Sequence, residues 1–232
     1  MKNIEFIKEH YGEQIYALNS FIEDAYSFLP NQDYSTIRFG GGTALAIYYF
    51  QHRLSFDIDL FVTDVQILNY LSPKHWIDET NKFNTSKYID LSNHIRVLEK
   101  KNNIKVDVLV SQNASSEYLL DDSKVLFASD VYVESIEDII AKKIVYRRND
   151  NLTRDIIDIA IAIKLKDGIL QNMLERGLIN KLDLKELKTS LENLDKTTFE
   201  EEIEIVAPFE NYINDSKNAP DIIKQECQKI LT

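Results

Sequence analysis

The chain holds one cysteine, Cys227, in 232 residues. That excludes a disulfide framework, and a thiol with no second cysteine reads as an inert one. Six glycines and four prolines exclude collagen-like and low-complexity chains. No uninterrupted apolar run approaches the ~18 residues that a membrane span needs. Met1–His10 alternates charges with single apolar residues, unlike the apolar stretch of a secretory signal. These absences lead to the expectation of a cytoplasmic protein with no membrane contact. Cations are also in deficit: 27 Lys and Arg face 38 Asp and Glu, a net charge of −11. Bulk nucleic-acid binding by counterion release wants the opposite sign, although a local patch counts for more than the sum.

Hydrophobic residues make up 44% of the chain. At this length that suits one or two domains, with about 70% of the unfolded surface buried on folding. Residues 4–29 space Ile4, Ile7, Ile15, Leu18, Phe21, Ile22 and Phe28 mostly at helical intervals, and Pro30 ends the pattern. Thr36–Phe39 is β-prone and leads into Gly40-Gly41-Gly42, after which Thr43–Phe50 reads as a buried helix. Phe56–Val62 alternates Asp with apolar residues, the period of a strand. A helix is predicted over Gln66–Phe83 despite Pro73. Three strands are predicted at Tyr88–Leu91, His94–Glu99 and Ile104–Val110, the last two joined by a turn at Lys101-Asn102-Asn103. From Ser135 the pattern is helical. Ser135 and Asp138 resemble a capping box, Thr153 is placed to cap a second helix, and Gly168 to end it. The expectation is α+β: a mixed sheet in residues 1–130 and a helical part in residues 131–232.

The chemistry concentrates in Arg38–Val62. Asp57 and Asp59, two apart on a strand, point to one face, while Ile58, Leu60 and Val62 point to the other. Adjacent carboxylates repel unless a cation lies between them, and Mg²⁺ with substrate phosphates is the ordinary one. By itself the pattern fits a solvated strand face better than a metal site. The context adds to it: a glycine-rich turn at a helix start is an anion site, and Thr43 supplies a hydroxyl. Ser55 shares the carboxylate face if the strand already includes it. Asp107, flanked by valines in Ile104–Val110, is a third carboxylate that needs a partner or a metal. Three such acids make a two-metal site for in-line phosphoryl displacement plausible. A separate basic window, residues 142–154, carries Lys142, Lys143, Arg147, Arg148 and Arg154 against Asp150 alone.

The motifs G-G-T-A-L (Gly41–Leu45) and H-R-x-S-x-D-I-D-L-F (His52–Phe61) resemble those of the nucleotidyltransferase AbiEii/AbiGii toxin family, within the polymerase-β-like nucleotidyltransferases. Ser135–Arg154 resembles that family's E-D-x-x-A-x-K helix, and Arg154–Asp158 its R-D-x-x-D element. The resemblance implies transfer of a nucleoside monophosphate from an NTP to an acceptor hydroxyl, with Mg²⁺ or Mn²⁺. It implies Asp57, Asp59 and Asp107 as metal ligands, and Lys143 and Asp158 as further catalytic residues. Gly41, Gly42, Thr43, Ser55, Arg53 and Lys143 would hold the nucleotide. The implied acceptor is RNA such as a tRNA 3′ end, with Arg147, Arg148 and Arg154 against its backbone, and the implied partner is a separate antitoxin. Two alternatives stay open: the same chemistry on a small molecule or protein, and a nucleotide-binding protein without catalysis.

Overall fold

The computed structural model describes residues 3–111 and 117–232. It is mixed α+β and divides into two compact units, residues 1–48 with 55–134 and residues 49–54 with 135–232.

The first unit begins with α1 (Ile4–Ala25), whose N-terminus is capped by Asn3 accepting from the Phe6 amide. Ile7, Tyr11, Leu18, Phe21 and Ile22 form its buried face, as the spacing requires. It stops at Ala25 and gives way to short 3₁₀ turns, the second starting at Pro30. The seven strands are β1 (Arg38–Gly40), β2 (Ile58–Val62), β3 (Ile89–Leu91), β4 (His94–Leu98), β5 (Lys105–Val110), β6 (Tyr118–Asp121) and β7 (Val131–Glu134). Their order in the sheet is β3-β4-β5-β2-β1-β7-β6. Parallel pairs β2–β5 and β1–β7 alternate with antiparallel ones, so the sheet is mixed. Ile58, Leu60, Val62, Val106, Val108, Ile95 and Val97 are buried on one side of it.

Between β1 and β2 the chain makes α2 (Gly41–Ala44), which continues through wider π-type turns over Leu45–Phe50. α3 is Val65–Leu71, capped by Asp64. The long helix predicted over Gln66–Phe83 is therefore one of two turns. Pro73 has no N–H to continue it and opens a 3₁₀ turn, Pro73–His75. Phe83 is instead in an isolated β-bridge with Glu99. Strand β6 escaped the sequence reading because Tyr118-Leu119-Leu120 has no polar alternation; pairing with β7 makes it a strand.

The second unit is helical: α4 (Ile136–Arg147), α5 (Thr153–Leu165), α6 (Ile169–Glu175), α7 (Lys181–Glu192), α8 (Lys196–Val206), α9 (Ile213–Lys217) and α10 (Ala219–Leu231). Ser135 caps α4 as expected, accepting from the Asp138 amide and donating to the Asp138 carboxylate. Thr153 does not cap α5; Leu152 holds that position, and the Thr153 hydroxyl donates to Glu202. Gly168, with φ +67°, precedes α6 rather than closing α5 directly. α5 runs through the middle of this unit, in contact with α4, α6, α8, α9 and α10. Cys227 is fully buried on α10, and burial pushes its thiol up to about 12. The expected boundary at residue 130 falls before β7, which pairing with β1 and β6 keeps in the first unit. Segment 49–54 belongs with the helices: the amides of Leu54 and Phe209 donate to Ala207 and His52 carbonyls, and the Tyr212 hydroxyl to Phe50. Among the described residues no helix is long and apolar enough to cross a membrane.

Candidate functional site

Strand register gathers the acids of the first unit into one row. Gly40 on β1 stands opposite Asp59 on β2, Asp59 beside Asp107 on β5, and Asp107 opposite Arg96 on β4. Registered neighbours share a face, so this row lies on the side of the sheet away from Leu60, Val108 and Ile95. Asp57 precedes β2; its carboxylate is 39% exposed and stands 3.8 Å from Lys105 Nζ. The charges of Asp57 and Asp59 both reach the Arg96 guanidinium, whose affinity for its proton is raised chiefly by its hydrogen bonds to Asp107.

The glycine turn is shaped around these carboxylates. A Cβ on Gly41, which has φ +68°, would lie 2.1 Å from Asp59 Oδ2. A Cβ on Gly40 would lie 2.1 Å from Glu134 Oε2 and 2.8 Å from the Phe61 ring. Any side chain at either position would displace an acid, so glycine is required by space at both and by backbone conformation at Gly41. Thr43, fully buried, is hydrogen-bonded through Oγ1 to the Asp57 carbonyl and to Ser55 Oγ. The buried Gln14 amide donates to the Ser55 carbonyl at 2.9 Å. Ser55 thus reaches the site by a different route from the one expected. The strand begins at Ile58, and hydrogen bonds from Thr43 and α1, not strand alternation, hold residues 55–57.

Asp107 is 5% exposed and both its oxygens are engaged. Arg96 Nε lies 2.7 Å from Oδ1 and Nη2 3.0 Å from Oδ2, a forked pair, and His94 Nε2 lies 2.6 Å from Oδ1. Among the described residues no group of three or more His, Cys, Asp or Glu side chains is arranged to hold a metal. Asp57 and Asp59 do suit a hard divalent cation that takes one or two carboxylates and completes its shell with phosphate and water. The absence of a side chain on Gly41 leaves the room that the Asp59 carboxylate takes up against the turn. Arg96 and His94 were missed in the sequence reading. The signal was present in His94-Ile-Arg96, whose alternation puts both polar side chains on the hairpin face that carries Asp107.

The other motif residues cluster within the second unit. Asp158 on α5 is fully buried. Its Oδ1 takes Arg53 Nε at 2.7 Å and His52 Nε2 at 2.6 Å; its Oδ2 takes Arg53 Nη2 at 2.7 Å and Lys143 Nζ at 3.0 Å. Burial alone would push this carboxyl up. The charges of Arg53 and Lys143 and the hydrogen bonds of His52 and Arg53 outweigh it and hold Asp158 well below the usual carboxylate range. Burial lowers His52 in spite of Asp158. Lys143 is 2% exposed and also pairs with Asp155 at 2.5 Å, and Arg147 Nε stands 3.1 Å from the same carboxylate. Two buried aspartates thus meet a buried arginine and a buried lysine, which is the balance that buried charge requires.

Of the basic window, Lys143 and Arg147 are engaged with Asp155, and Arg148 pairs with Glu186 at 2.5 Å and Asp183 at 3.4 Å. Arg154 is exposed.

Comparison with known proteins places this arrangement in context. The fold is similar to that of JHP933 from Helicobacter pylori, at 17% identity and a TM-score of 0.53, over 96% of this chain and 90% of that one. It is also similar to a second H. pylori protein, provisionally assigned as a nucleotidyltransferase, at 16% identity and a TM-score of 0.52, over 94% and 92% of the two chains. MenT4, a nucleotidyltransferase toxin of Mycobacterium tuberculosis, aligns at 16% identity and a TM-score of 0.40, over 96% and 99%. Among curated proteins none is similar enough to count as a relative. Residues 27–220, and with them the glycine turn, the acid row and the α4–α5 motifs, match the family described as nucleotidyl transferase AbiEii toxin, type IV toxin–antitoxin system, and the chain belongs to that family.

Proposed function

We propose that the chain transfers a nucleoside monophosphate from an NTP to an acceptor hydroxyl. The observation that carries this reading is the register that sets Asp59 between the glycine turn and Asp107. In the reaction the acceptor hydroxyl gives up its proton to water, its oxygen attacks the α-phosphorus, the bond to the α–β bridging oxygen breaks, and pyrophosphate leaves. Asp57 and Asp59 would hold Mg²⁺ or Mn²⁺, which when bound neutralises charge on the phosphate oxygens. Gly41 and Gly42 stay in the proposed nucleotide set on the strength of the family motif, Gly41 also making room for Asp59, and the Ser55 hydroxyl, fixed by Thr43, offers the nucleotide a donor. Lys143 and Asp158 stay in the proposed set on the strength of the family motifs. Their burial makes them a preorganised ion group, so their effect on transfer has to be separated from their effect on folding. Arg53, carried over as a nucleotide contact, is consumed by Asp158.

The proposed acceptor is RNA, such as a tRNA 3′ end, and the proposed setting is a cytoplasmic toxin with a separate antitoxin. One observation favours the other acceptor class, a small molecule or a protein: three of the five window cations are spent on acids of their own unit. The test is incubation of each labelled NTP with Mg²⁺ and total RNA. Label on RNA that falls steeply with added salt, and falls further in Arg154→Glu, supports an RNA acceptor. Label on protein or a small molecule supports the second class. No magnesium-dependent NTP turnover with any acceptor defeats the transfer reading.

A further inference from the structure

Arg96 is the accessible half of the Arg96–Asp107 pair: its side chain is 39% exposed, against 7% for Asp107. Asp107 grips the guanidinium along one edge, through Nε and Nη2. A guanidinium has five N–H groups in a rigid plane, so Nη1 and one Nη2 hydrogen remain for another acceptor. Among the described residues no hydrogen-bond acceptor is seen on Nη1. The same cation lies within electrostatic reach of Asp57 and Asp59. Three hydrogen bonds already fall on the Asp107 carboxylate, two on Oδ1 and one on Oδ2, and a divalent cation bound there would sit against the Arg96 charge.

We propose that Arg96 is a contact for the triphosphate of the nucleotide and that Asp107 is the positioning residue that fixes it, outside the metal set. The assignment rests on the nucleotidyl-transfer reading. Its physical basis is preorganisation: an arginine already held in plane by a buried carboxylate loses little freedom when its open edge meets a phosphate fork.

The experiment uses the full chain as wild type, Arg96→Gln, Arg96→Lys, Asp107→Asn and the double variant Arg96→Gln/Asp107→Asn, each checked by thermal melting. Mn²⁺ alone is titrated by electron paramagnetic resonance, and an NTP analogue non-cleavable between the α- and β-phosphates is titrated with Mn²⁺ by calorimetry. Mn²⁺ alone binds Asp107→Asn within about twofold of wild type, because Asp107 is not a ligand. The analogue binds Arg96→Gln about 10- to 100-fold more weakly, the loss expected for a hydrogen bond to a charged group. Asp107→Asn weakens the analogue as well, and the double variant is no worse than Arg96→Gln, since the two act as one unit. Arg96→Lys, with charge but no fork, falls between wild type and Arg96→Gln, and it decides the matter if Arg96→Gln does not fold. Loss of Mn²⁺ binding in Asp107→Asn overturns the proposal, as does wild-type analogue affinity in both Arg96 variants. A wild type that binds no nucleotide removes the transfer reading and this assignment together.

Discussion

Two groups of aspartates, one in each unit, use the same residue types to opposite ends. Asp155 and Asp158 are buried with Arg53 and Lys143, and the partly exposed Arg147 reaches Asp155, so each acid of that cluster has a fixed cation. In the row of Asp57, Asp59 and Asp107, Arg96 pairs with Asp107 and Lys105 stands 3.8 Å from Asp57. The Asp57 side chain there is exposed to solvent. A balanced buried cluster holds helices together and is costly to break on one side. An accessible row of carboxylates is weakly stabilising for the fold and open to an incoming cation and its phosphates. The two differ in burial, not in the acids themselves.

The largest effect tests the closed cluster. Asp158→Ala leaves Arg53 and Lys143 buried without their shared carboxylate and costs about 3–5 kcal/mol of stability. Denaturant unfolding measures this, and a loss below about 1 kcal/mol would show that the cluster is not what holds α4, α5 and residues 49–54 together. Next comes the open row. Asp57→Asn and Asp59→Asn lower nucleotide transfer by about 100-fold or more, while metal-free stability changes by no more than about 1 kcal/mol. A large drop in the metal-free melting temperature would make the row structural like its counterpart and erase the contrast. The smallest effect is the pH dependence of the closed cluster. His52 is lowered in the folded chain, so on acidification the unfolded chain takes up a proton, near its ordinary pKa of about 6.5, that folded His52 refuses. Stability therefore falls as pH drops from 7 towards 5, by up to about 1.4 kcal/mol per pH unit. Asp158, depressed in the fold, contributes above about pH 4, and that contribution is lost as pH falls through its low folded value. Melting curves of wild type beside His52→Gln check the first step: the variant should be flatter between pH 7 and 5.

The reach of the sequence differs between the two groups for a physical reason. The Asp57-x-Asp59 spacing, the Gly40-Gly41-Gly42 run and the Ser135 cap are local patterns, each contained within a few residues. They were legible from the residues alone. The 4–25 helix and the β4–β5 hairpin were legible too, because their apolar spacing repeats over several turns or pairs. The short reach of α3 was written in Pro73 but outweighed there by the helical spacing of Gln66–Leu71. The edge strand β6 carries no alternation, and only its ladder with β7 makes it a strand.

Composition, turn chemistry and short-range periodicity by themselves determined the α+β class, the location of the acid pair and the motifs that carry the family. They act within a few residues, so they survive without a fold. Which carboxylate is paired with which cation was decided by tertiary structure alone. Asp107 meets Arg96 and His94 only through strand register, and Lys143 meets Asp155 only when α4 packs on α5. Residues 52 and 53 reach Asp158, more than 100 positions away, only after the chain between α2 and β2 has joined the helical unit. Charge pairing falls off with distance in space, not along the chain, and a linear sequence carries no record of those distances.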